Sequence, residues 1–114
     1  MEYLTLNNGV KMPLAGFGTF QITDRAECER SIASAIDAGY RLIDTAQAYG
    51  NEKFVGNAIK NCGAARDELF VTTKLWFRNY EKDAAEKSLN ESLKKLQLDY
   101  VDMVLLHWPY GNVY

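Results

Sequence analysis

Short, almost continuously apolar runs recur along this chain, and stretches with helical spacing separate them. Leu42-Ile43, Leu69 to Lys74 and Tyr100 to Leu106 are three such runs, and Leu14 to Phe20 reads as a first buried strand of the same kind. A strand that is apolar on both faces has to be covered on both, and alternation with helices provides that cover in a parallel sheet. Two α/β architectures satisfy the pattern, an open doubly wound sheet and a closed (β/α)8 barrel. Polar residues at the ends of several runs favour the barrel, where chemistry gathers at the C-terminal ends of the strands.

The remaining elements fall between these runs. Leu4 and Leu6 alternate with polar residues, Asn8-Gly9 predicts a type I′ turn, and Val10 and Met12 return, which makes a β-hairpin ended by Pro13. Asp24 with Glu27 three residues on marks a helix start; Ile32, Ala33, Ala35 and Ile36 form its apolar face and Gly39 its left-handed stop. A second helix starts at Asn51, turns Phe54, Val55, Ala58 and Ile59 inward and closes at Gly63. A third starts near Asp83, with Leu89, Leu93 and Leu96 at i, i+4 and i+7. The expectation is a hairpin plus about the first four strands and three helices of a barrel, forming one unit over residues 1–114 with no internal boundary. Such barrels take about 250 residues, whereas this chain has 114 and ends in what reads as a loop, Pro109 to Tyr114. An N-terminal half-barrel, cut from a larger whole, is therefore expected.

A formal charge of -2 gives no reason to expect nucleic acid as a partner. No apolar run approaches the roughly 20 residues of a membrane span, and Met1 to Leu6 is too acidic and alternating for a signal peptide. Cys28 and Cys62 share no C-x-x-C or metal-type spacing, so they read as reduced thiols of a cytoplasmic protein.

Three of the strands finish on an ionisable side chain. Asp44 follows Leu42-Ile43, Lys74 closes the run from Leu69, and His107, the only histidine, follows Leu106. Tyr49 lies on the loop after Asp44. Taken singly, these are ordinary residues: a capping acid, a solvated lysine, a packing histidine, a core tyrosine. At the C-terminal ends of parallel strands they converge on one mouth. One histidine and no carboxylate cluster at ligand spacing argue against a metal site. The absence of serine or cysteine at a strand end argues against a nucleophilic triad. Gly16-x-Gly18 begins a dinucleotide fingerprint, but Gln21 occupies its last position and no helix starts there.

What remains suits proton donation by a phenol. A free tyrosine titrates at about 10 and is a poor acid at neutral pH, but a nearby ammonium favours the phenolate and makes it a better one. Asp44 can pair with Lys74, His107 can hydrogen-bond a substrate oxygen, and Phe20, Trp76 and Trp108 offer apolar walls. The set fits reduction of a carbonyl, with the hydride supplied by a cofactor because no side chain carries one.

The same residues resemble the aldo-keto reductase family. Gly39-Tyr40-Arg41-Leu42-Ile43-Asp44-Thr45-Ala46 followed by Glu52-Lys53-Phe54-Val55-Gly56 is similar to its first signature. Met12-Pro13 through Gly18-Thr19, Leu69 through Trp76, and Leu96-Gln97-Leu98-Asp99-Tyr100-Val101-Asp102 through His107-Trp108-Pro109 are similar to it too. Leu42 stands where many members have histidine, and Phe20 where some have tryptophan. The resemblance implies the family's tetrad on Asp44, Tyr49, Lys74 and His107. Tyr49 would be the general acid, Lys74 the cation that tunes it, Asp44 the group that holds Lys74, and His107 the group that orients the carbonyl. It implies NADPH bound extended on a (β/α)8 barrel, with Thr19 and Asp44 near the nicotinamide ribose. Phe20, Trp76 and Trp108 would wall the substrate pocket together with Tyr49 and His107. Contacts to the nicotinamide amide, the stacking tyrosine, the adenosine 2′-phosphate site and the C-terminal pocket loop would belong to a second half-barrel.

Two functions of different class follow. One is an NADPH-dependent oxidoreductase that reduces aldehydes and ketones, its partners a small carbonyl substrate and a missing C-terminal half-barrel. The other is a catalytically incompetent half-barrel that self-associates through its unpaired edges as a binding or structural module.

Overall fold

Asp24 has an extended backbone, and its carboxylate accepts the Glu27 N–H at 2.9 Å. One of the orphan amides of helix α1 (Arg25–Asp37) is thereby satisfied, and the chain is committed to turn there. At the other end Gly39 takes φ 107, a left-handed conformation in which a side chain would be strained. The structure, a computed structural model, describes residues 1–109. After a hairpin of β1 (Tyr3–Thr5) and β2 (Lys11–Pro13) come β3 (Gly16–Gly18), α1 and β4 (Leu42–Asp44). Then follow α2 (Glu52–Asn61), β5 (Phe70–Leu75), α3 (Lys82–Leu96) and β6 (Met103–Leu106). Short 3-10 turns at Gln47–Tyr49, Arg66–Glu68 and Phe77–Asn79 join them. The last residues of the Pro109–Tyr114 loop expected from the sequence lie outside the described residues.

Strands β3, β4, β5 and β6 pair in that order, all parallel, as one sheet among the described residues. Register then decides which side chains share a face, because successive residues of a strand point opposite ways. Phe17, Ile43 and Val71 are cross-strand partners in one row. Ile43 and Val71 join a core made with Cys28, Ile32 and Ile36 of α1, Val55, Ala58 and Ile59 of α2, and Leu96 of α3. Fully burying each of the larger aliphatic side chains contributes roughly 1.5–3 kcal/mol. Gly18, Asp44, Thr72 and Met103 form a row on the opposite face, with Lys74 two residues further along β5 on that same face. The helices thus take the apolar rows and leave Asp44 and Lys74 on the face they do not cover.

Three expectations need correction. The hairpin turn is not type I′, which requires positive φ at both central residues. Gly9 alone has it, at φ 86, and the Gly9 N–H donates to Leu6 O while the Leu6 N–H donates to Val10 O. That is a three-residue loop, a type I turn followed by a left-handed glycine. Leu14 to Phe20 is not a buried strand either: only Gly16–Gly18 pairs, at the edge of the sheet, with Leu14 and Phe20 exposed. The other edge strand, β6, leaves Val104, Leu105 and Leu106 exposed. Finally, the second helix does not run to Gly63: α2 ends at Asn61 ahead of an extended Cys62.

Cys28 is completely buried, and its thiol is pushed up to about 11 by burial first and by Glu29 and Glu27 after it. No helix among the described residues is long and apolar enough to cross a membrane.

Helices α2 and α3 meet where α2 has no side chain. A Cβ on Gly56 would lie 2.6 Å from the Leu96 carbonyl oxygen, an unyielding backbone atom. Alanine there gains about 1 kcal/mol of helix propensity, but forcing a methyl against backbone costs about 1–3 kcal/mol. The clash is expected to win. Gly56→Ala should lower the urea midpoint of unfolding without changing its m-value.

Candidate active site

The Lys74 ammonium has three protons to donate, and the fold presents three oxygens. Its Nζ lies 2.7 Å from Asp44 Oδ2, 3.1 Å from the Thr45 carbonyl oxygen and 3.2 Å from Tyr49 Oη. Parallel pairing aligns Asp44 with Thr72, so that Lys74, two residues on, reaches back across the mouth to it. The pair is half-buried, and Asp44 keeps 31% of its side chain exposed. Among the described residues only Oδ2 has a partner, which leaves the second carboxylate oxygen able to accept from a ligand hydroxyl. Because Tyr49 Oη accepts from Lys74, the phenolic proton itself remains available to another acceptor.

A 3-10 turn delivers that phenol. It runs from Gln47 to Tyr49 and stops at Gly50, whose φ of 69 lets the chain reverse into α2. Ring contacts then run across the mouth. Phe20 lies 5.2 Å from Tyr49 between centroids, Tyr49 5.9 Å from His107, His107 5.5 Å from Trp76, and Trp76 5.2 Å from Trp108. All four tetrad residues nominated by the sequence therefore stand together, with Phe20, Trp76 and Trp108 around them. Phe20 and Trp108 are more than half exposed. Trp108 holds φ 57, unusual for a bulky side chain.

Thr19 stands apart from the mouth. It is completely buried, and both its N–H and its hydroxyl donate to the Asp44 carbonyl oxygen, at 3.0 and 3.1 Å. It braces Asp44 from behind. His107 follows β6, its N–H donating to Leu75 O and its carbonyl oxygen accepting from the Tyr80 hydroxyl. Its Nδ1 is buried with no hydrogen-bond partner among the described residues. Its pKa lies below the ordinary value, through burial first and the Lys74 charge second, with Asp44 opposing. Among the described residues no three His, Cys, Asp or Glu side chains gather as metal ligands.

Several supports of this mouth carry no signal in the sequence. Asn51 reads as a helix cap, yet its side chain caps nothing. It donates instead to the Thr19 and Ile22 carbonyl oxygens at 2.8 and 3.1 Å and accepts the Thr45 hydroxyl at 3.0 Å. Glu52, buried, accepts the Thr73 hydroxyl at 2.8 Å. Such long-range partners become visible only with the register; a buried polar residue beside a strand end is the only advance hint.

The sequence pattern of the Aldo/keto reductase family matches residues 15–114. The chain belongs to the aldo-keto reductase family. It is 54% identical over 106 residues to morphine 6-dehydrogenase from Pseudomonas putida, covering 93% of this chain and 36% of that protein. It is 45% identical over 113 residues to glyoxal reductase from Bacillus subtilis, covering 99% of this chain and 41% of that protein. Its fold matches the crystal structure of an aldo/keto reductase from Brucella melitensis with a TM-score of 0.91 and 45% identity, over 95% of this chain and 41% of that one. This aldo-keto reductase chain therefore spans about two-fifths of the length of its relatives. Its parallel strands and helices are the α/β arrangement of part of a TIM barrel.

His107 provides a direct check, since its signal is the only histidine resonance of the chain. NMR titration is expected to give a midpoint below the ordinary 6.5. A histidine whose folded pKa lies below its unfolded one stabilises the fold above the unfolded value and loses that contribution as the pH falls through the folded one. Stability measured against pH should decline through that window, and His107→Asn should flatten the decline.

Proposed function

We propose that these residues supply the proton-transfer side of a reductase that converts aldehydes and ketones to alcohols with NADPH. The observation that carries the reading is the complete set of acceptors around Lys74: one carboxylate, one carbonyl and the Tyr49 phenol. Tyr49 hands its proton to the carbonyl oxygen of the substrate. Lys74, held by Asp44 and the Thr45 carbonyl, keeps a positive charge beside the phenol oxygen as negative charge develops there. With Nδ1 buried and without a hydrogen-bond partner among the described residues, neutral His107 carries its proton on the other ring nitrogen and donates it to the same substrate oxygen. Phe20, Trp76 and Trp108 line the approach to the reacting carbonyl.

NADPH, when bound, supplies the hydride. The open oxygen of Asp44 fits a ribose hydroxyl, and Thr19 would serve that contact by bracing Asp44. The relatives' names, a morphine dehydrogenase and a glyoxal reductase, agree with interconversion of a carbonyl and an alcohol.

Residues 1–114 alone are expected to consume NADPH at or near background with a reactive aldehyde. Completed by the remaining barrel of a relative, they are expected to turn over, and Tyr49→Phe should then lower kcat by about 10²–10⁴-fold, the usual contribution of a general acid. Turnover retained by Tyr49→Phe would end the reading.

The exposed row on β6, where Leu106 is 59% accessible, favours a second reading. In it, β6 of one copy pairs with β3 of another, and the twofold-related contact closes the ring. Sedimentation at rising concentration is expected to show a dimer; a well-folded monomer throughout would exclude this association.

A further inference from the structure

We propose that Gln47 is a positioning residue: it straps Trp76 to the turn that ends in Tyr49 and so sets the width of the substrate mouth. The inference rests on the reductase reading only in taking Tyr49 as the acid and Trp76 as a wall. The strap itself is a matter of geometry. Gln47 Oε1 accepts the Trp76 backbone N–H at 2.9 Å and the Asn79 side-chain amide at 3.1 Å, while its own amide donates to Ser92 Oγ at 3.2 Å. Ser92 is buried on α3. One side chain thus joins three segments: the 3-10 turn carrying the phenol, the exit of β5 with its own 3-10 turn Phe77–Asn79, and the third helix.

The need for such a strap follows from where Trp76 sits. β5 ends at Leu75, so the Trp76 amide has left the parallel ladder. A half-buried N–H without a partner is unfavourable, and Gln47 is the group that satisfies it. The same bond fixes the start of the Trp76 side chain. From there the indole reaches His107 at 5.5 Å and Trp108 at 5.2 Å. Gln47 and Tyr49 are first and last in one 3-10 turn. Any shift of the Gln47 oxygen therefore changes the spacing between proton donor and wall.

The length of the residue and its acceptor are separable by substitution. Gln47→Met keeps the length and removes the acceptor. Gln47→Glu keeps the acceptor, and the Ser92 hydroxyl can turn to donate, so it should rescue. In a Trp108→Phe background Trp76 is the only tryptophan of the chain, which makes its fluorescence a local readout that needs neither cofactor nor turnover. Gln47→Met is expected to raise acrylamide quenching of Trp76 and to speed amide exchange at Trp76 about tenfold, the ratio that roughly 1.4 kcal/mol corresponds to. Gln47→Glu should restore both. Should the Met variant fail to fold by circular dichroism, Gln47→Asn, one methylene shorter, withdraws the oxygen and is expected to give the same loss. Quenching and exchange unchanged in a folded Met or Asn variant would overturn the proposal, as would loss of both in the Glu variant. In the completed barrel the expected signature is a higher KM for a bulky aromatic aldehyde, with kcat for a glyoxal-sized substrate preserved. Absence of turnover in every protein, wild type included, would count against the reductase reading and leave fluorescence and exchange to decide this one.

Discussion

An ammonium group whose three protons all find oxygens holds this mouth together. Lys74 joins the end of β4, the loop beyond it and the 3-10 turn of Tyr49, so a single charge fixes three backbone segments at one point. Register makes this possible. Because Thr72 pairs with Asp44, the lysine two residues later sits on the same face with room to reach back. A slip of one residue would turn Lys74 towards the helices and the apolar core, where an unpaired charge is strongly disfavoured.

Behind the ammonium lies a layer of buried polar contacts. Thr19 braces the Asp44 carbonyl, Asn51 ties the loops after β3 and β4 together, and Glu52 meets Thr73. Buried polar groups stabilise only when their partners are all present, and these have theirs. Each ties a loop or strand end to a neighbouring segment, where loops are otherwise the mobile parts of a fold.

Much of this is written in the sequence. The Asp24–Glu27 pair, the left-handed Gly39 and the apolar runs are local features, and α1, β4 and β5 follow from them closely. Asp44, Tyr49, Lys74 and His107 were legible for a related reason: each lies at or just past a strand end, which is a position along the chain. Lateral relationships are not. Nothing in Asn51 or Gln47 says which segment its amide will meet, since the partners of Asn51 lie 32, 29 and 6 residues away. The hairpin turn failed because an Asn-Gly pair is compatible with several loop lengths, and Leu6 and Val10 chose the longer one. The buried reading of Leu14 to Phe20 failed because apolar character marks a strand without saying whether it lies inside the sheet or at its rim.

Among the aromatic walls, Trp108 is the one with a left-handed backbone. A bulky residue in the left-handed basin stores about 1–3 kcal/mol, while each ring pair it makes with Trp76 or His107 is worth about 0.5–1.5 kcal/mol. The two quantities are of the same order. The ring contacts with Trp76 and His107 therefore help keep the chain in a basin it would otherwise leave, so the outline of the opening on that side depends on its neighbours as much as on the indole itself.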